Sequence, residues 1–285
     1  MILELGPEYR FDITSRAVVM GILNRTPDSF FDGGTYFDFD SFLAKAEQLV
    51  DDGADFLDVG GVKAGPGPEV STEEELDRVV PAVVALHDRL DIAISVDTWN
   101  PVVLRDALKA GAVVGNDISG FAHPDYLPTC AEFEAAVVAT HIRLGPRIPD
   151  PEPHYDNLRV DVRAFLAEKA EMAENAGIPR CRIMVDDGLD LGKTEAQSLE
   201  LLRSSEDLVA LGYPAFLSAS NKRFIGELLG AAVTDRRMAS HAAHALGITK
   251  GCRILRAHDV KGARRTADLI AAILEVAQSE AAVVG

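Results

Sequence analysis

Met20-Gly-Ile-Leu-Asn-Arg-Thr-Pro-Asp-Ser-Phe-Phe-Asp-Gly-Gly34 begins inside an apolar run, Val18 to Leu23, and passes at Asn24 into a polar loop that ends in two glycines. A short β-branched apolar run reads as a buried strand, and the polar residue at its end marks where the chain leaves the sheet. Outward from this stretch the same unit recurs. SFLAKAEQLVDDG has helical spacing, ADFLDVGG is short and apolar, and TEEELDRVVPAVVALHDRL, IAISVDT and NPVVLRDALKAG repeat the alternation. AVVGNDISG, a helix near 124–133, AAVVATH, a helix over about 158–176, RIMVDDG, a helix over about 195–203, YPAFLSAS and CRILRAHDV complete it. Strands alternating with helices predict parallel βα units. About eight of them, from AVVMGI to CRILRAHDV, predict an α/β fold, a single (β/α)8 TIM barrel, filling residues 1–285 as one domain.

Local signals agree with this reading. DDGAD, KAGAV, NAGIP and ALGIT place a glycine before a strand, as helix C-termini do. Pro81 predicts a kink within the second helix, and Ser71 and Thr72 ahead of Glu73 to Glu75 predict a capped helix start whose acids complement the dipole. Composition excludes several classes. Among 285 residues, 28 Lys and Arg against 45 Asp and Glu leave a net charge of −17, which repels phosphate backbones and anionic membrane surfaces. Nucleic acid and membrane are therefore not expected partners, whereas a small anionic ligand in a locally basic site is compatible. No 18-residue apolar stretch and no basic, apolar leader occur, so a cytoplasmic protein is expected. Cys130, Cys181 and Cys252 lack C-x-x-C spacing and read as buried thiols.

Polar residues cluster where the strands end: Asn24, Asp58, Asp97, Asn116, His141, Asp186, Ser220, Arg256 and His258. In a TIM barrel that rim carries the active site. A carboxylate such as Asp97 suits paired N–H donors of a planar heterocycle, although Asp97, Asn116 and Asp186 taken singly also fit helix N-caps. Arg256 and His258, two apart on an extended segment, can donate to one anion. Gly188-Leu-Asp-Leu-Gly-Lys-Thr194 suggests a P-loop but has one residue too few between its glycines. His241 and His244 share a helix face without an acidic partner to complete a metal set, so packing explains them.

Five segments in order, Met20–Gly34, Asp58-Val-Gly-Gly61, Ser95-Val-Asp-Thr98, Asn116-Asp117 and Arg256-Ala-His-Asp-Val260, resemble the signatures of the dihydropteroate synthase family. The resemblance implies a cytoplasmic homodimer that joins 6-hydroxymethyl-7,8-dihydropterin diphosphate to p-aminobenzoate. It implies a pterin pocket of Asp97, Asn116, Asp186 and Lys222, with Asp32 and Lys222 catalytic. Asn24, Arg256 and His258 would hold the diphosphate, and Asn24 its Mg2+. The second-substrate side departs from the pattern. Gly61-Val-Lys-Ala-Gly-Pro-Gly67 stands where Gly-Glu-Ser-Thr-Arg-Pro-Gly is usual, retaining Pro66 but changing Lys63 and its neighbours, and Arg223 replaces a serine. A pterin site with weakened or lost p-aminobenzoate condensation, or one that accepts another nucleophile, is expected. Alternatives are a catalytically silent pterin-binding paralogue and a pterin-dependent methyltransferase-type barrel, against which a diphosphate clamp argues.

Overall fold

The computed structural model describes residues 1–25, 39–65 and 67–284, with side chains as far as Glu275. Asp32 and Pro66 lie outside the described residues. Strands β1 (Ile2–Leu5) and β2 (Tyr9–Asp12) form an antiparallel hairpin. The chain continues through β3 (Val18–Asn24), α1 (Phe39–Asp51), β4 (Phe56–Gly60), α2 (Thr72–Arg89), β5 (Ala93–Asp97), α3 (Pro101–Lys109), β6 (Val114–Asp117) and α4 (Tyr126–Glu132). It ends with β7 (Ala136–Thr140), α5 (Leu158–Asn175), β8 (Ile183–Asp186), α6 (Glu195–Arg203), α7 (Glu206–Val209), β9 (Ala215–Leu217), α8 (Arg223–Leu229), α9 (Arg237–Thr249), β10 (Ile254–Ala257) and α10 (Val260–Val284). Strands β3 to β10 close a parallel barrel in sequence order, with β10 paired to both β9 and β3. The fold is the (β/α)8 TIM barrel expected.

Alternation along the strands divides the core in two. Val18, Met20, Phe56, Ala93, Val114, Val138, Met184, Phe216 and Ile254 fill the barrel interior, while Val19, Leu57, Ile94, Val137, Val185 and Leu255 face the helices. Both faces are buried, so the strands read as continuous apolar runs. Leu3, Leu5 and Ile13 of the hairpin join the interior cluster and are fully buried. The hairpin therefore stoppers the N-terminal end of the barrel, a role for which MILELGPEYRFDIT carries no local signal.

The helix termini follow local chemistry. Ser71 Oγ accepts from Glu74 N at 3.1 Å, Asn100 Oδ1 from Val102 N at 3.0 Å, and Thr194 with Gln197 forms a reciprocal capping box. Helix α2 runs unbroken through Pro81. Glu75 is not a dipole-compensating surface acid: it is 5% exposed and accepts from Thr98 Oγ1 at 2.6 Å, tying α2 to the end of β5. Gly53, Gly111 and Gly177 adopt positive φ at helix ends as expected, but Gly247 does not end α9. It lies inside the helix against Leu217, whose Cδ2 an added Cβ would overlap, and Gly251 at φ 105° makes the exit instead. Cys130 and Cys252 are buried free thiols, whereas Cys181 is half-exposed. Among the described residues no helix is long and apolar enough to cross a membrane.

Candidate active site at the barrel rim

Strand register brings the polar ends together. Asn24 is opposite Gly60, Gly60 opposite Asp97, and Asp97 opposite Asn116, so four consecutive strands deliver one continuous polar arc. Gly60 lets the arc close up: a Cβ there would come within 2.9 Å of Asn24 Oδ1 and 3.4 Å of Asp97 Cβ. Thr140 opposite Asp186 carries the rim across β7 and β8.

Beneath this arc Asp58, fully buried, organises the site. It accepts from Ser95 Oγ at 2.7 Å, from Asn116 Nδ2 at 3.2 and 3.3 Å, and from Arg256 Nε at 2.7 Å. Arg256 Nη2 also donates to Asp97 Oδ2 at 2.9 Å, bridging two carboxylates. Burial pushes the Asp97 carboxyl up to about 7, Arg256 opposing and Asp58, Glu75 and Asp117 adding to the rise. Asp97 is thus an acceptor whose charge state changes near neutrality.

Asp186 is 5% exposed and takes the Gly188 N–H at 2.9 Å. Burial raises its pKa, opposed by Lys222, that hydrogen bond, Lys193 and Arg256. Lys222 donates to Leu189 O at 3.0 Å, and burial lowers its pKa against the pull of Asp186 and Asp190. Asp97, Asn116, Asp186, Lys222 and Arg256 are accordingly linked, through hydrogen bonds to Asp58 and through charge, into one cluster at the rim. Arg256 and His258 do not share a partner here. Two interior carboxylates draw the guanidinium inward, whereas His258 Nδ1 lies 3.0 Å from Ser220 Oγ, and its ring lines a cavity shared with Lys45, Arg237 and His241. Desolvation and the cations Arg256, Lys222 and Lys45 hold His258 below the ordinary imidazole value.

The sequence reading missed Lys193, which is 1% exposed. Its Nζ lies 2.9 Å from His141 Nδ1 and donates to Gly188 O at 2.9 Å, Leu191 O at 3.1 Å and His141 O at 3.4 Å. Burial lowers Lys193 to about 7, and burial followed by the Lys193 charge lowers His141 to about 3. This ammonium pins the loops after β7 and β8 together and leaves Gly188–Thr194 no role as a phosphate cradle. Its only signal was a lysine in a segment that failed as a P-loop. His241 binds Asp259 at 2.9 Å, and His244 is buried with both ring nitrogens unpartnered. Among the described residues no three His, Cys, Asp or Glu side chains are placed to hold a metal.

On the altered side, Val62 is buried and Lys63 exposed. Arg223, heading α8, donates from Nη2 to Lys193 O at 3.1 Å. Between the loops after β4, β7 and β8 lies a cavity of about 330 Å3 reached by Ala64, Leu144, Arg147, Asp190 and Arg223.

Comparison with known proteins converges on one family. Residues 20–258 match the model for pterin binding enzymes. The dihydropteroate synthase of Bacillus subtilis is 40% identical over 91% of this chain and 89% of its own. A Mycobacterium leprae protein named inactive dihydropteroate synthase 2 is also 40% identical, over 90% of this chain and 91% of its own. The structure of Yersinia pestis dihydropteroate synthase in a sulfonamide drug complex superposes with a TM-score of 0.90, covering 97% of this chain and all of that one at 35% identity. With the barrel, the rim carboxylates and a matched stretch spanning most of its length, the chain belongs to the dihydropteroate synthase family.

Proposed function

We propose that the rim binds 6-hydroxymethyl-7,8-dihydropterin diphosphate and transfers its pterin methylene to an arylamine. The observation that carries this reading is the arc in which Asp97 and Asn116 are register partners over the Asp58–Arg256 pair. Asp97, Asn116 and Asp186 supply acceptors for the N–H edge of a pterin ring, and Lys222 supplies a donor beside them. The bond between the methylene carbon and the diphosphate oxygen breaks with its electron pair on oxygen. The amine lone pair then forms the C–N bond and the nitrogen sheds a proton. Arg256, His258 and Asn24 would receive the diphosphate, with Arg256 relaxing from Asp97 as the anion enters; Asp32 belongs to the same proposal.

The residues present fit Mg2+ only as a companion of bound diphosphate. Asn24 Oδ1, facing Asp97 across Gly60, would be its protein ligand, and water and phosphate oxygens would complete the shell. Bound there, the ion would neutralise the departing charge. A homodimer in the cytoplasm is part of the same reading. It is supported by Met238, Leu246, Leu269 and Ile273, exposed on the mutually packed α9 and α10.

Efficient use of p-aminobenzoate is not part of the proposal. The loop after β4 lacks the usual hydroxyls and guanidinium, and Arg223 occupies the place of a hydroxyl. A pterin-binding protein without synthase activity is the second reading, favoured by the same departures and by the M. leprae relative of that description. Titration with pterin diphosphate in a calorimeter, followed by diphosphate release with and without p-aminobenzoate, tests both. Failure to bind the pterin diphosphate overturns the first reading and the second.

A further inference from the structure

We infer that the arylamine accepted here carries two carboxylates, held by Arg147 and Arg223 in the cavity beside the pterin pocket; the inference rests on the transferase reading above. At about 330 Å3, the cavity is of small-molecule size and offers more room than one benzoate ring uses. Ile142, Leu144, Ile148 and Pro149 give it an apolar wall suited to an aryl body.

The polar groups around the cavity separate into spent and unspent. Asp150 is engaged by Arg143 through both Nε and Nη2. Asp190 accepts from the backbone N–H groups of Arg223 and Phe224, capping α8. Lys193 has used its ammonium on His141 and three carbonyls. Arg147 and Arg223 are different. Each spends Nη2 on a carbonyl, Pro68 O and Lys193 O respectively, and Arg223 Nε lies 3.5 Å from Glu227 Oε1. Arg147 Nε and Nη1 and Arg223 Nη1 have no acceptor among the described residues. The unspent polarity of the cavity is therefore cationic and donating, in a chain whose net charge is −17.

These guanidiniums are also positioned. Arg147 sits at φ 64°, its N–H donates to Ala64 O at 3.3 Å, and Nη2 meets Pro68 O, so its base and one arm are fixed to the rewritten loop. Gly67 admits that arm, since a Cβ there would stand 3.2 Å from Nη2. Arg223 is fixed from the other side by α8 and Lys193 O. One carboxylate would satisfy one fork; two forks on separate loops match two carboxylates. The amine of such a ligand attacks the pterin methylene, the C–O bond to diphosphate breaks, and the amine proton passes to water.

The test compares kcat/KM for 4-aminobenzoate and 4-aminobenzoylglutamate with the full chain, Mg2+ and pterin diphosphate, beside calorimetric binding of the pterin diphosphate alone. The expected result is a preference of about tenfold or more for the dicarboxylate. Arg147→Lys and Arg223→Ser should each shrink that ratio. A ratio is read because general loosening of the loop lowers both rates together. Pterin diphosphate binding with no preference, with preference for 4-aminobenzoate, or with neither amine condensed overturns this inference and leaves pterin binding standing. Absence of pterin diphosphate binding overturns the proposed function as well.

Discussion

Replacing Arg256 by methionine isolates the charge balance on which the rim depends. In the structure its guanidinium lies 2.7 Å from Asp58, which is fully buried, and 2.9 Å from Asp97, whose side chain is 15% exposed. Removing one partner from a buried ionic cluster leaves charge uncompensated, at a cost of about 3–5 kcal/mol. Asp97 gives this cost a pH signature. Burial pushes its folded-state pKa up to about 7, from an ordinary carboxylate value of 3.8. A raised carboxyl contributes stability that is fully present below the unfolded value and is lost as pH rises through the folded one. Without Arg256, the attraction that lowers Asp97 is gone, its pKa climbs further, and the loss extends to higher pH. The deficit of Arg256→Met should thus be largest near pH 8 and smaller by about 1 kcal/mol or more at pH 5, where Asp97 is protonated in both proteins. Urea unfolding of wild type and variant at the two pH values measures it. A deficit below about 1 kcal/mol, or one equal at both pH values, would show that Arg256 is not the counter-charge these carboxylates need.

Leu5→Ala, at the fully buried hairpin stopper, should cost about 2–5 kcal/mol in unfolding free energy; a loss under 1 kcal/mol would mean that the hairpin only rests on the barrel. Gly60→Ala should displace Asn24 and raise the KM for pterin diphosphate while leaving the melting temperature nearly unchanged, because the crowding atom is a polar side-chain tip. An unaltered KM would remove Asn24 from the diphosphate site. Asp97→Asn should weaken pterin binding by roughly 1.5–3 kcal/mol, read by calorimetry, and equal affinity would count against its acceptor role. Met238→Glu combined with Ile273→Glu should shift sedimentation from dimer to monomer, and a wild type already monomeric at micromolar concentration would refute the dimer face.

What was legible in the sequence is what depends on one strand or one helix at a time. An apolar run ended by Asn24, Asp97, Asn116 or Asp186 announces a buried strand and its rim residue without reference to any other segment, and eight such runs suffice to close a barrel. The N-terminal hairpin was less visible because its signal is two four-residue strands whose partner surface, the open end of the barrel, exists only after folding. Gly247 illustrates the same limit. Its spacing matches a helix end, but Leu217 packing against the helix, a contact across the chain, decides its position.

The candidate site divides along the same line. Residue types at the rim announced acceptors and donors, yet which donor meets which acceptor depends on neighbours far apart in sequence. Arg256 and His258 look like a pair because they are two apart, and an isolated extended segment would present them together. The barrel separates them: Asp58 and Asp97, far earlier in the chain, take the guanidinium at 2.7 and 2.9 Å, and Ser220 takes the imidazole. Lys193 makes the converse point, a lysine in a loop whose burial among His141 and three carbonyls could not be read from its neighbours in sequence. Under the proposed function, diphosphate binding at this rim begins with a competition. The incoming anion has to take donors now engaged by Asp97, and Asp97, with a pKa near neutrality, can accept a proton as it gives them up. On this reasoning affinity for diphosphate alone increases as pH falls from 8 to 6, through release of Arg256, and an affinity that stays flat over that interval would mean that Arg256 binds the anion without leaving its carboxylates.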